Sequence, residues 1–312
     1  MELRHLRYFV AVADTGAFSR AAIRLNITQP ALWRQVHALE TELGVRLFER
    51  AGRRVRLTGD GGGLLRRSRD LLAAAEQLGH HADALRGGDV GTLRVGASPQ
   101  VMQTVLAPFL ARYLRARPRV EVHLVEEGGA RLPALVERGD VDIALAIPRG
   151  GGHLARRLLM PVWVLAAVSS SHRLRKNTTV DVSEFQNESV LVLRQGFATR
   201  EMFDGVCRVA RVQPDVVLEA GDPQSLIALA EAGRGVAIVP STVRFTGRKV
   251  RVMPILHAGA SVGSWGWIVW DSRRFMAAYA MSFIDELVQH TRRAFPGREF
   301  ERKAPPLPRP RE

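Results

Sequence analysis

One stretch constrains the fold of this chain more than any other: Phe18-Ser-Arg-Ala-Ala-Ile-Arg-Leu-Asn-Ile-Thr-Gln-Pro-Ala-Leu-Trp-Arg-Gln-Val-His-Ala-Leu-Glu40. Within it Leu32, Val36, Leu39 and the following Leu43 recur at helical intervals, which stacks them on one stripe of a 3.6-period helix. Gln29, Pro30, Trp33, Arg34 and His37 fall on the other side. Thr28 is suited to cap this helix, and Pro30 stands in the first turn, where a missing N–H does no harm. Ahead of it Ala21, Ala22 and Leu25 predict a shorter helix that others can approach closely, with Ser19 as its N-cap and Asn26-Ile27 as the turn. A helix with a packed back and an amide, a guanidinium and an indole in front carries the groups that read base edges and grip phosphates.

The flanking sequence extends this unit. Leu3, Leu6, Val10 and Ala13 predict a first helix over residues 3–13, ended by Asp14-Thr15-Gly16. Val45 to Leu57 alternates apolar and charged residues around Arg50, Gly52, Arg53 and Arg54, the pattern of a two-stranded wing. Residues 1–58 therefore predict a winged helix-turn-helix. From there Leu64, Leu71, Leu78 and Leu85 keep sevenfold spacing, with Ser68, Ala75 and Ala82 four residues after the first three. Such a seam predicts a coiled-coil dimerisation helix over residues 59–86. Its Gly61-Gly62-Gly63 reads as a hinge, since glycine weakens a helix, and residues 87–91 as a second one.

Beyond residue 91 strands and helices alternate, with strands at 92–97, 120–126, 141–147, 162–168, 189–193, 215–219, 235–239 and 265–270. Helices are expected at 101–116, 130–138, 199–211, 223–232 and 275–290. Repeated units of this kind predict a largely parallel α/β sheet. The basic, proline-rich tail 292–312 reads as disordered.

Composition narrows the class. The net charge of +14 favours a polyanionic partner, but only Lys176, Lys249 and Lys303 of the 45 basic residues are lysine. An arginine bias of that kind reflects genome composition as much as function. No apolar run approaches the ~20 residues of a membrane span, and the charged N-terminus does not read as a secretory signal, which predicts a cytoplasmic protein. Cys207 is the single cysteine, which excludes an internal disulfide and reads as an ordinary thiol. No Walker loop, dinucleotide fingerprint, nucleophile elbow or metal-ligand spacing is present, so no cofactor, metal or catalysis is expected. A transport-type binding protein would suit the second half, but would have no use for Thr28 to Arg34.

Taken together, the chain resembles the LysR-type transcriptional regulators. The likeness is carried by Leu3-Arg-His-Leu-Arg-Tyr-Phe-Val-Ala-Val-Ala, Phe18-Ser-Arg-Ala-Ala, Thr28-Gln-Pro-Ala-Leu, Leu39-Glu-x-Glu-Leu-Gly-Val-Arg-Leu-Phe-Glu-Arg50 and Arg53-Arg-Val-Arg-Leu-Thr58. Leu135-Val-Glu-Arg-Gly-Asp-Val-Asp-Ile-Ala144 and Ala232-Gly-Arg-Gly-Val-Ala-Ile-Val-Pro240 fit its second half. The resemblance implies an N-terminal winged helix-turn-helix, a long linker helix, and a two-lobed α/β effector domain like that of periplasmic binding proteins. Lobe one would combine residues 92–161 with 266–291, and lobe two would be 162–265. It further implies a homodimer or homotetramer on an interrupted palindrome of double-stranded DNA, a small-molecule effector such as a small carboxylate or aromatic acid, contact with RNA polymerase, and no membrane. The family usually has serine where this chain has Trp33.

The residues expected to meet DNA are Ser19, Thr28, Gln29, Pro30, Trp33, Arg34, Arg50, Arg53 and Arg54. Gln29 suits adenine and Arg34 suits guanine or phosphate, while Trp33 either meets thymine methyls or folds back onto the protein. Effectors of open α/β sheets sit at the carboxyl ends of strands. In lobe one that places Ser98, Pro99, Gln100, Gly128, Gly129, Ile147 and Pro148 at the cleft. Lobe two would add Gln195, Phe197, Thr199, Asp222 and Gln224. Ser98 is the strongest of these, its alternative role being a plain helix cap. Phe197 either walls the ligand or belongs to the core.

Overall fold

The computed structural model describes all residues except 52–53, 86–89, 148–153, 248 and 311–312, together with the side chains at 50, 51, 54, 77, 80, 81 and 83–85. Contacts divide the chain into two units, Met1–Arg86 and Gly87–Glu312. No described helix is long and apolar enough to cross a membrane.

The first unit consists of α1 (Leu3–Thr15), α2 (Phe18–Arg24), α3 (Gln29–Leu43), the antiparallel wing β1 (Phe48–Ala51) and β2 (Arg54–Leu57), and α4 (Gly59–Leu85). Gly16 stops α1 in the left-handed conformation (φ 63°), and Asn26 turns the chain between α2 and α3 at φ 53°. The inward face of α1 is Leu6, Phe9 and Val12 rather than the face through Leu3 and Val10. Leu32, Val36 and Leu39 are buried as the periodicity requires, but Leu43 is not, because the helix ends there against Gly44. The cap of α2 is Ala17, so Ser19 stands inside the first turn and does not cap.

The glycine run of α4 proves to be a docking point rather than a hinge. The helix is continuous through it, and Thr58 Oγ1 caps the start by accepting from Gly61 N at 2.9 Å. A Cβ on Gly61 would stand 2.2 Å from the carbonyl oxygen of Leu47, so only glycine lets α4 lie this close to the base of the wing. Leu64, Leu65 and Leu72 then pack against Leu6, Phe9, Leu39 and Leu47. Leu64 therefore belongs to the core of this unit, whereas Leu71 and Leu78 stay exposed and the Leu85 side chain lies outside the described residues. Arg69 pairs with Asp14 and fixes the next turn to the end of α1.

The second unit opens with β3 (Gly91–Ala97), α5 (Pro99–Val101), a π-helical turn at Met102–Leu106, α6 (Ala107–Ala116), β4 (Val120–Glu126), α7 (Leu132–Arg138) and β5 (Ile143–Ala146). It continues with β6 (Leu154–Ser169), β7 (Val180–Asp181), β8 (Ser189–Leu193), α8 (Ala198–Ala210), β9 (Asp215–Ala220), α9 (Pro223–Glu231) and β10 (Val236–Pro240). Last come β11 (Val250–His257), β12 (Ala260–Ser261), β13 (Gly263–Asp271), α10 (Ala278–Arg293) and a 3-10 turn at Arg298–Arg302. The π turn falls where Pro108 has no N–H to return to Thr104, so the helix widens there.

Strands run in the order β4-β3-β5-β13-β6-β10-β8-β9. The pairs β3–β4, β3–β5, β8–β9 and β8–β10 are parallel, while β13 and β6 run antiparallel to their neighbours. The sheet is therefore mixed rather than largely parallel. Strand β6 is the reason. It pairs with β13 as far as Trp163, then with β10 and β11 from Val164 onward, so one strand threads both lobes. Pro161 is tolerated inside it beside a register shift at Gly266/Trp267, where the ladder is already interrupted.

Helices cover both faces. In the first lobe Phe109 and Tyr113 of α6 pack edge-on against Phe283 of α10, and Leu132 and Val136 of α7 pack on Val269. In the second, Phe203 of α8 and Leu226 of α9 fill opposite sides of the sheet. The tail corrects the sequence reading: it is ordered as far as it is described. Phe300 and Leu307 are buried with Trp163 and Val243, Ser261 Oγ donates to Pro305 O at 2.6 Å, and Trp265 Nε1 donates to Pro308 O at 3.0 Å.

Candidate nucleic-acid interface and ligand cleft

The buried stripe of α3 fixes which side chains face outward. Thr28, Gln29, Pro30, Trp33 and Arg34 are all exposed along that front, as is Ser19 on α2. Thr28 is held to backbone work, its Oγ1 accepting from Ala31 N at 3.4 Å. Ser19, Gln29 and Trp33 line one groove together with His37, Arg46, Glu49 and Thr58, between α2, α3 and the wing. Arg53 lies outside the described residues, as do the side chains of Arg50 and Arg54, although the last two stand on β1 and β2. Arg46 and Glu49 escaped the sequence reading because their place on the groove depends on how the wing folds back.

The second unit holds a cleft of about 550 Å3, counting its open mouth. Ser98, Gln100, Gly129, Ile147, Phe197 and Thr199 line it, as expected from the strand ends. Ser98 makes no capping hydrogen bond with its side chain, and α8 likewise starts without a side-chain cap. Two polar atoms here are buried without a partner, Gln100 Oε1 and Thr242 Oγ1. The walls are Leu145, Leu159, Met160, Val162 and Trp267, and no charged side chain lies among the described lining residues. Phe197 borders the cleft and is also buried in the core cluster with Leu226 and Val239.

Other expected residues are occupied elsewhere. Gln195 Nε2 donates to Asp204 Oδ2 at 3.1 Å, and Asp222 caps α9 by accepting from Gln224 N and Ser225 N. Gln224 Nε2 donates to Arg244 O at 3.0 Å. Neither these three nor Pro99 line the cleft. Gly128 shapes it instead: a Cβ there would stand 2.6 Å from Gly196 O, so glycine allows the two loops to touch. Pro148 lies outside the described residues. The apolar walls and Thr242 were missed because they read in sequence as ordinary strand core. The end of β10 at Pro240 is the signal that would have found Thr242.

A winged helix-turn-helix with a polar front, on one chain with a two-lobed α/β unit holding a cleft at its strand ends, is the make-up of a ligand-responsive transcription factor. Residues 3–62 match the bacterial regulatory helix-turn-helix protein, lysR family, and residues 86–292 match the LysR substrate binding domain. The chain is 32% identical over 300 residues to the uncharacterized HTH-type transcriptional regulator YnfL of Escherichia coli K12, covering 94% of this chain and 99% of that one. It is 37% identical over 249 residues to the HTH-type transcriptional regulator ClcR of Pseudomonas putida, covering 78% and 84%. Among solved structures it is similar to full-length CbnR complexed with its target DNA, at 26% identity and a TM-score of 0.61 over 94% and 99% of the two chains. It is also similar to a hydrogen-peroxide-bound cysteine mutant of Corynebacterium glutamicum OxyR, at 27% identity and a TM-score of 0.57 over 94% and 92%. The chain belongs to the LysR family of transcriptional regulators, a ligand-responsive DNA-binding protein and not an enzyme.

Cys207 is the single cysteine and is buried under Phe203 and Met253. Burial, and then the charge of Asp204, push its thiol up to about 12. The thiolate, which is the reactive form, is therefore scarce at neutral pH. Iodoacetamide should label the native protein far more slowly than the urea-unfolded one; equal rates would show an accessible thiol.

Proposed function

We propose that the protein binds an interrupted palindrome as a dimer or tetramer, placing α3 in the major groove and the wing on the backbone. A small effector in the cleft switches it. The exposed Leu71 and Leu78 of α4 support pairing of two chains through that helix. Its place of action is the cytoplasm, where operator DNA and RNA polymerase are.

The observation that carries the effector reading is the pair of orphaned polar atoms, Gln100 Oε1 and Thr242 Oγ1, within an otherwise apolar cleft. A buried polar atom without a partner is costly, and a bound molecule supplies the partner. The uncapped start of α8 presents N–H groups that suit a carboxylate, and the aliphatic and indole walls suit an apolar body. The effector is accordingly a small acid with an aromatic or aliphatic frame. A thermal-shift screen of small carboxylates and aromatic acids tests this, with a dose-dependent rise in melting temperature expected for the effector. Ser98→Ala should then shift the inducer dose curve by about tenfold, from loss of one hydrogen bond to a charged group, while operator affinity without effector stays unchanged. Identical dose curves would remove Ser98 from the site.

A further inference from the structure

Trp33 does not fold back onto the protein. It is 51% exposed, yet its indole lies nearly parallel to the His37 ring, with centroids 4.9 Å apart and planes inclined by 16°. His37 is itself held from the other side. Its Nδ1 is 3.3 Å from Glu40 Oε2, and Glu40 Oε1 accepts from Leu47 N at 2.7 Å and Phe48 N at 3.2 Å. Spacings of four and three residues put indole, imidazole and carboxylate on one face of α3. A continuous set of contacts thus runs from the base of the wing, through carboxylate and imidazole, to the indole.

The stack stands on the groove that also holds Gln29 and Ser19. A lone exposed tryptophan samples several rotamers, whereas one stacked on an anchored ring presents a plate of fixed orientation. The major-groove edges of the bases are polar except at one place, the C5-methyl of thymine. A rigid apolar plate on a recognition helix has that group as its match, while Gln29, one turn earlier, and Arg34, beside it, supply the polar readout.

We infer that the Trp33–His37 stack selects a C5-methyl group at one position of each operator half-site, with His37 and Glu40 acting as positioning residues for the indole. The inference rests on the reading of α3 as the DNA-contacting helix. It concerns this chain's own specificity, since Trp33 and His37 form the contact together.

The test uses the full-length protein and an operator fragment taken from DNA that it shifts in gels. Thymines are replaced one at a time by deoxyuridine, which keeps every hydrogen-bonding group and lacks only the methyl. Binding is read by fluorescence anisotropy. Wild-type protein should lose about fourfold in affinity at one position, and about fifteenfold when the symmetry-related thymine is replaced as well. In Trp33→Ser this penalty should vanish, near-UV and far-UV circular dichroism confirming that the variant is folded. His37→Ala should shrink the penalty, and His37→Phe, which keeps a ring under the indole, should restore it. Wild-type protein that binds the operator with no dependence on any thymine methyl overturns the inference and leaves the DNA-binding reading intact. Deoxyuridine indifference combined with weaker binding by Trp33→Ser would place the indole on deoxyribose, which also overturns it. Absence of any specific duplex binding by wild type would sink the helix reading and the inference together.

Discussion

Alanine at Phe300 lowers the stability of the Gly87–Glu312 unit by about 3–5 kcal/mol, the usual cost of deleting a fully enclosed aromatic side chain. Phe300 is buried among Trp163, Val243 and Leu307, in the same cluster as the strands of the second lobe. The turn that carries it depends on Gly297, at φ 87°, where a Cβ would stand 2.6 Å from that of Ser241. Removing the ring leaves a cavity that a sheet-backed site cannot collapse to fill. Urea unfolding monitored by tryptophan fluorescence should show a lower midpoint with an unchanged slope. A loss below 1 kcal/mol would mean that the tail is dispensable packing. The proline-rich segment beyond it is suited to its place, because proline is pre-set in an extended form and loses little freedom on docking. The carbonyls of Pro305 and Pro308 remain available as acceptors, and both are used.

Arg34→Ala removes operator binding at physiological salt. Arg34 is exposed on the front of α3, one residue from Trp33 and on the side away from Leu32, Val36 and Leu39. A bidentate arginine contact to a base is worth about 1–3 kcal/mol. In a symmetric complex the loss is counted once per half-site, which amounts to one to four orders of magnitude in affinity. Because the side chain is exposed, the melting temperature should not move. A gel shift with unchanged affinity would take Arg34 out of the interface. A loss that is equal for operator and random DNA would assign it to phosphate rather than to a base.

The first unit was largely legible because its signals are local. The spacing of Leu32, Val36 and Leu39, the cap at Thr28 and the turn at Asn26 each act within a few residues of where they are written. Gly61 was misread for the opposite reason. Its meaning lies in the Leu47 carbonyl, distant in sequence, and a glycine whose role is close approach looks in sequence like one whose role is flexibility. Strand β6 was half-seen, since Arg156-Arg157 and Pro161 break its alternation and its first half is specified by pairing with β13. The tail has the composition of disorder, and only the cavity waiting for Phe300 and Leu307 says otherwise. At the cleft, the loops at strand ends were foreseeable. The walls were not, because Leu159, Met160 and Trp267 are buried strand residues like those of the core, and only the tertiary fold sets them beside the cleft.

Strand β6 has a mechanical consequence. A strand clamped in both lobes cannot lengthen, because its hydrogen bonds to β13 on one side and to β10 and β11 on the other hold it along its length. The chain passes between lobes again where Val262 accepts from Val164 at 2.8 Å, and once more where α10 runs into the docked tail. Links set side by side in this way resist pulling apart far better than they resist bending or twisting. Bending and twisting of these crossover strands therefore cost less than stretching them, so a ligand in this cleft would be expected to change the angle between the lobes rather than draw them apart.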